Sequence, residues 1–327
     1  MDSLPEKDVV FITWDEISFR NFTRVEIITA SEGVIEMELT DLEITFNVTA
    51  SDQDNYHIEL SSSHFTLPIV FSYNYDSHFT TVDENVANSI KIFRTDHDEG
   101  MSIMTYLNSY PLVFYYSDFS VLFKNNQYLE APTNVNPFPS ELINDSLNWA
   151  GHGVNIENEC NGSDSIHDYL KTYLSGLALP FTYYDHGTGE IADFITGEVT
   201  SDEILIKLYH CKGSSAPAPG NRVNDIYEVI GQGIKSLTYT YQARLITRLQ
   251  QRQLGKTLAG SCSDGFTILR DLITGNRGMR VSFQIVIVQP GITKRGIEER
   301  ISLLLSSANT NIRNTNNCKD IMILSSN

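Results

Sequence analysis

The sequence predicts an α+β chain of two domains, a β-rich domain over residues 1–145 and a mixed α/β domain over residues 146–327. Three observations predict it. Apolar and polar residues alternate through much of the first half, the period of strands with one solvated face. The second half changes to a helix, three short strands and then further helices. Between the two lies Ala131–Pro139 (APTNVNPFP), which holds three of the chain's ten prolines and cannot run as helix or central strand.

In the first half, Gly33–Val48 reads as one long strand, and Tyr56–Leu60, Phe65–Tyr73 and Leu112–Phe123 are further strands rich in Val, Ile, Phe and Tyr. In the second half, Ser163–Leu177 reads as an amphipathic helix capped by Ser163 or Asp164, with Ile166, Tyr169, Leu170, Tyr173, Leu174 and Leu177 at helical spacing. Phe181–Tyr184, Ile191–Ile195 and Ile204–Cys211 follow as a meander with tight turns. Val223–Tyr239 and Tyr241–Leu258 read as helices, Arg280–Gln289 as a buried strand, Lys294–Ser307 as a helix and Asp320–Ser325 as a last strand. The predicted order of the second domain is α-βββ-αα-β-α-β.

Composition narrows the function classes. With 16 Tyr and 16 Phe, the chain has the aromatics that a disordered sequence lacks. The four cysteines are scattered without a CxxC pair, which speaks against a disulfide scaffold or a structural zinc motif. The opening MDSLPEKDVV shows no signal-peptide pattern, so the expected location is cytoplasmic. There is no GxxxxGK[ST], GxSxG or HExxH, so a nucleotide-hydrolysing, serine-hydrolase or zincin site is not expected. The net charge of -18 is unevenly spread: residues 1–150 hold 24 acidic and 6 basic residues, the remainder 17 of each. Charge acts over a Debye length of about 8–10 Å, so an acidic first half does not prevent a near-neutral second half from meeting phosphates.

The chemistry is concentrated in Gly189–Ile195 (GEIADFI) and Leu208–Lys212 (LYHCK). Strand alternation puts His210 and Lys212 on one face, Tyr209 and Cys211 on the other, and Asp193 on a face otherwise apolar. A buried carboxylate needs a partner. Asp193 and Lys212 read either as a structural ion pair or as two groups that hold a divalent ion and a water. His210 reads either as a core histidine or as a ligand, and Cys211 as a small buried hydrophobe.

This arrangement resembles the PD-(D/E)xK nuclease superfamily, whose members carry a metal-binding Asp on the second strand of such a meander and an acid-x-Lys motif on the third. The resemblance implies a restriction-endonuclease-like α-βββ-α core and a Mg²⁺- or Mn²⁺-dependent DNA nuclease. It assigns metal binding to Asp193 and to the Cys211 carbonyl, and water activation or charge stabilisation to Lys212. His210 stands where the superfamily has Glu or Asp; Glu190 supplies a replacement carboxylate, with Glu157, Glu159 and Glu203 as weaker candidates. GEIADF, LYHCK, Pro219–Lys235 and Val286–Gly291 are more closely similar to the nuclease-like segment associated with helicases in bacterial anti-phage systems, specifically over 189–235. That similarity implies a helicase partner and an antiviral role. The alternative is a catalytically silent module that binds DNA or the helicase.

Phosphate contacts are expected from two helices. Gln232 and Lys235 lie three apart on one face, within reach of a scissile phosphate or simply solvated. Arg244, Arg248, Arg252 and Lys256 repeat every four residues and form a basic stripe, either for a DNA backbone or answered by the acidic half. Four such contacts correspond to a salt slope of roughly −3.6 on duplex DNA. The acidic 1–145 segment is expected to dock the partner or to shield the stripe.

Overall fold

A computed structural model describes residues 9–14, 22–29, 33–47, 50–52, 54–73, 78–94, 99–116, 120–124, 127–130, 136–187, 189–217, 223–253, 265–315 and 317–326. Its contacts divide the chain into two units, Met1–Thr133 and Asn134–Asn327. The fold is mixed α and β, as the α+β expectation has it.

The N-terminal unit runs β1 (Val9–Thr13), β2 (Phe22–Thr29), β3 (Gly33–Glu38), β4 (Glu43–Phe46), β5 (Asn55–Ser61), β6 (Thr66–Ser72), β7 (His78–Thr80), α1 (Glu84–Ser89), β8 (Ile90–Arg94), β9 (Met101–Ser102), α2 (Ile103–Ser109), β10 (Val113–Tyr116), β11 (Val121–Phe123) and β12 (Gln127–Leu129). Among the described residues these strands form antiparallel sheets in the orders β1-β10-β11-β12, β3-β2-β8-β9 and β4-β5-β6-β7. The long strand predicted over Gly33–Val48 is broken at Leu39–Asp41, where a 3-10 turn buries Leu39 and Asp41 caps the Glu38 amide at 2.9 Å. Leu112–Phe123 is likewise a hairpin, β10 and β11, rather than one strand. The core is aromatic: Tyr56 packs on Phe71, Phe114 and Tyr116, and the Tyr56 and Tyr116 hydroxyls meet at 3.2 Å. Burial needs that bond, because a phenol hidden without a partner costs about 1–3 kcal/mol.

The C-terminal unit contains β13 (Ile143–Leu147), α3 (Ile166–Gly176), β14 (Phe181–Tyr184), β15 (Phe194–Val199), β16 (Glu203–Cys211), α4 (Val223–Lys235), α5 (Gln242–Gln253), α6 (Gly265–Gly275), β17 (Arg280–Val288), α7 (Glu299–Arg313) and β18 (Met322–Ser326). Its described strands make one sheet in the order β13-β18-β17-β16-β15-β14. β14, β15 and β16 form the antiparallel meander; β16, β17, β18 and β13 are parallel. On one face, Ile166, Leu170 and Leu174 of α3 pack with Phe194, Tyr209, Cys211, Val286 and Val288. On the other, α4 crosses β16 and β17, and α6 lies over the meander with Leu272 near Gly197. A parallel sheet covered on both faces explains the uninterrupted apolar run Ile285–Val288 in β17.

The expected boundary at 145/146 moves to 133/134. Ile143 pairs with Ile323 of β18, so β13 straddles the expected boundary and belongs wholly to the C-terminal sheet. Phe138, in the proline-rich segment expected to separate the domains, is buried, and its amide donates to Ser302 Oγ on α7 at 2.8 Å. β13 and α6 were not predicted. The first is an edge strand of mostly polar sequence (INDSL), and the second follows residues 254–264, which lie outside the described set.

Ser165, rather than Ser163 or Asp164, caps α3: its hydroxyl accepts the Asp168 amide at 3.1 Å. Ser165→Ala is expected to lower the stability of the C-terminal unit by about 1 kcal/mol, read from urea denaturation followed by circular dichroism.

Candidate functional site

The site is built on the loop that joins β14 to β15. The ladder between these strands continues one step past them, with the Asp185 amide donating to the Asp193 carbonyl at 2.9 Å. Between these ends the chain must reverse. Gly187 and Gly189, at φ 123° and 72°, take backbone angles that side chains disfavour. The Gly187 amide then donates to Glu190 Oε2 at 2.6 Å, which turns that carboxylate back toward His186.

Asp193 is the centre of the arrangement. It is 1% exposed. Its Oδ2 accepts the Cys211 amide at 2.8 Å. Its Oδ1 lies 2.9 Å from His186 Nδ1 and 3.4 Å from His167 Nε2. His186 Nδ1 is also 3.3 Å from Glu190 Oε2, so one imidazole stands between two carboxylates. Potential ligand atoms of His186, Glu190 and Asp193 lie within 4.8 Å of one another, as do those of His167, Asp193 and Cys211. His167 comes from the first turn of α3, and its Nδ1 is 3.1 Å from the Tyr184 hydroxyl. Lys212 follows directly on β16. Its ammonium is 2.6 Å from Glu228 on α4 and 3.3 Å from Glu159, which also accepts the Gly213 amide at 3.2 Å.

These environments set the protonation states. Burial raises the Asp193 carboxyl to about 7, although bonds from His186 and the Cys211 amide act against it. Hydrogen bonds to Asp193 and Glu190 raise His186 to about 11. Burial pushes the Glu190 carboxyl up, but the bonds from His186 and the Gly187 amide and the nearby imidazole charge together outweigh it, so it stays below the usual range. Burial lowers His167 to about 4 and pushes the Cys211 thiol well up. For Lys212, burial acts downward, and its bonds to Glu228 and Glu159 outweigh it and raise the pKa.

Of the residues singled out in the sequence, Asp193, Glu190 and Cys211 come together. Cys211 approaches through its amide and thiol. Lys212 reaches the rim. It is paired with Glu159 and Glu228 rather than with Asp193, so the direct ion pair, one of the two readings of these residues, is not formed.

His210 is not a ligand of this group. It turns to the α4 face, is 2% exposed, and bonds Ser236 Oγ through Nε2 at 2.9 Å. The Ser236 hydroxyl donates to the Ile191 carbonyl at 2.5 Å, so His210 Nε2 is its donor and Nδ1 carries no proton and no partner. Burial lowers His210 to about 4. Gln232, expected to reach the phosphate, has its Oε1 buried and unpartnered.

The basic stripe is corrected more sharply. Arg252 is buried and bonds the fully buried Asp185 through Nε, and its Nη2 donates to the Asp185 carbonyl at 2.8 Å. Arg248, also buried, donates to the Gly189 carbonyl at 2.5 Å. These arginines grip the loop bearing Glu190 and Asp193 and do not face a nucleic acid. The Asp185 carboxylate completes the grip by accepting the Ile191 amide at 2.9 Å. Lys235 and Arg244 are half-buried, and Lys256 lies outside the described residues.

Sequence reasoning missed His167, His186 and Asp185, and ranked Glu159 low. The available signals were a histidine inside the apolar stripe of α3 and the crowding of Asp185, His186, Glu190 and Asp193 into nine residues. Comparison with known proteins adds no family: no family model, curated protein or solved structure matches the chain.

Two outcomes follow. Arg252→Ala removes the guanidinium from a buried carboxylate and is expected to lower stability by about 3–5 kcal/mol in urea denaturation; unchanged stability would return Arg252 to the surface. His167 and His210 are buried neutral with pKa values of about 4, below the ordinary 6.5. Their contribution to stability is complete above pH about 6.5 and is lost as pH falls through about 4, up to roughly 3 kcal/mol each. His210→Asn should flatten this acid limb in stability measured between pH 7 and 4; an identical slope would place the protonation elsewhere.

Proposed function

We propose that the C-terminal unit is a metal-dependent phosphodiesterase of restriction-endonuclease-like architecture that cleaves DNA as the effector of a bacterial anti-phage system. The observation that carries this reading is the meeting of Asp193 and Glu190 at one end of the meander, with Lys212 at its rim. Asp193 Oδ2 is tied to the amide of Cys211, and Lys212 is the next residue. This end is also where the parallel strands β16 and β17 finish, the usual position for ligands in such sheets. The α-βββ-α order, with β17 parallel beside β16, supports the same architecture.

The residues fit a divalent cation. Two carboxylates converge on one point, and the group held there, His186, is itself a cation. Asp193 and Glu190 would hold Mg²⁺ or Mn²⁺, with His186 moving aside. When bound, such an ion lowers the pKa of a water and neutralises charge on the phosphate. Lys212 stays charged because Glu228 and Glu159 hold its ammonium. It therefore serves as a hydrogen-bond donor to a phosphate oxygen or to the attacking water, and not as the base. Arg248 and Arg252 keep the loop in place behind these groups.

The acidic N-terminal unit, whose Glu36, Glu43 and Glu59 are exposed, suits docking of a basic surface, and a helicase subunit is the partner we propose. A second reading is favoured by one observation: His210, at the position of the usual acid, is turned away from Asp193. On that reading the unit binds DNA or the helicase without cutting.

Plasmid incubated with the full-length protein separates the two. Nicking in Mg²⁺ or Mn²⁺, its absence in EDTA, and at least about a 100-fold loss in folded Asp193→Ala and Lys212→Ala proteins are expected of the enzyme. DNA binding without cleavage in every metal, with and without the helicase, is expected of the silent module. Undiminished nicking by folded Asp193→Ala protein would remove the assignment.

A further inference from the structure

We propose that His167, Asp193 and Cys211 form a second, buried metal site that takes a Zn²⁺-class transition dication and shares Asp193 with the Mg²⁺- or Mn²⁺-binding group; the proposal builds on the phosphodiesterase reading of Asp193 but is tested without it. Three observations carry it. His167 is 3% exposed, and its Nε2 is buried with no hydrogen-bond partner. That nitrogen lies 3.4 Å from Asp193 Oδ1, yet the two are not aligned for a hydrogen bond. The Cys211 thiol closes the group, with all three ligand atoms within 4.8 Å of one another and all three residues buried.

The second ring nitrogen explains the orientation. His167 Nδ1 is 3.1 Å from the Tyr184 hydroxyl. With the proton on Nδ1, donated to that hydroxyl, Nε2 presents a lone pair toward a carboxylate oxygen. Two lone pairs facing each other in a dry interior are unfavourable, and a cation between them reverses the sign of the interaction. Metal-binding histidines are oriented in this manner, with the far nitrogen donating to a fixed acceptor.

The donor set selects the ion. Imidazole nitrogen and thiolate sulfur suit Zn²⁺ and Co²⁺, whereas Mg²⁺ requires oxygen ligands in an octahedron and keeps several waters. Three protein ligands leave the fourth position of a tetrahedron open. On binding, the Cys211 thiol gives up its proton to solvent and its sulfur bonds the metal as thiolate, so one proton is released per ion.

The test uses full-length protein stripped with chelator and titrated with Zn²⁺, Co²⁺ or Mg²⁺ by calorimetry, with the visible and near-ultraviolet spectrum of the Co²⁺ form recorded. One tight Zn²⁺ or Co²⁺ per chain is expected, with proton release and a thiolate-to-cobalt charge-transfer band. His167→Ala should weaken Zn²⁺ binding by at least about 100-fold. Cys211→Ser should abolish the charge-transfer band, and His64→Ala in the N-terminal unit should change neither. If the variants fail to fold, the wild-type spectrum decides: a Co²⁺ form lacking the thiolate band overturns the proposal. So does the absence of tight Zn²⁺ binding, or Zn²⁺ binding that folded His167→Ala protein retains in full. Cleavage in Mg²⁺ by protein that never binds Zn²⁺ overturns this site and leaves the phosphodiesterase reading intact. Tight Zn²⁺ binding at the triad without DNA cleavage under any condition does the reverse.

Discussion

The C-terminal unit is organised around a carboxylate that is 1% exposed at the open end of a hairpin loop. A bare carboxylate in that position is costly, so the surroundings must supply donors. The Cys211 amide and His186 do so from two directions. Both donors are available only if β14, β15 and β16 are in the observed register and the loop from Asp185 to Asp193 closes tightly. The register of the meander and the two glycine conformations are in this sense conditions for tolerating Asp193.

The loop is held from behind by a second buried carboxylate. Asp185 is met by Arg252 and by the Ile191 amide, Gly189 by Arg248, and the Ile191 carbonyl by Ser236, which His210 supports. Three residues of the loop, Asp185, Gly189 and Ile191, therefore have fixed contacts on α5 or on the turn between α4 and α5. Successive residues at the end of β16 and just past it divide the work: His210 serves the α4 face, Cys211 the α3 face and the carboxylate, and Lys212 the rim. The four-residue spacing of the arginines follows from this arrangement, since Arg248 and Arg252 must point the same way along α5 to reach the loop.

Much of this was legible in the sequence. The outer strands of the meander, α3, α4 and β17 follow apolar periodicity, which local sequence reports directly; the middle strand, expected over Ile191–Ile195, runs Phe194–Val199, which leaves Asp193 in the loop before it. β13 did not, because an edge strand in a parallel sheet can be polar, as Asn144, Asp145 and Ser146 are. Asp193 and Glu190 were legible as unusual carboxylates beside apolar residues. His167 and His186 were not, because their proximity to Asp193 depends on the packing of α3 against the sheet and on loop closure. The basic stripe was misread for a related reason: four residues of spacing shows that side chains share a face, but not whether that face meets solvent or a buried Asp185. With two of its four charges consumed internally, the stripe's share of any phosphate attraction is halved, and nucleic-acid affinity would have to draw on other cations of the unit.

Stability alone does not account for Asp193. Its carboxyl stands at about 7 in the fold, so the two groups that bond it offset the cost of burial without reversing it. A neutral side chain would spare the fold that cost, and His186 would keep Glu190 as a partner. Asp185 differs, because a buried arginine bonds its carboxylate and grips its carbonyl. Two buried acids eight residues apart are thus treated unequally, one closed off by a guanidinium and one left facing two imidazoles and a thiol. The incompletely compensated acid is the one at the sheet end where β16 and β17 finish, and groups whose charge the fold tolerates at a cost are those that functional sites retain.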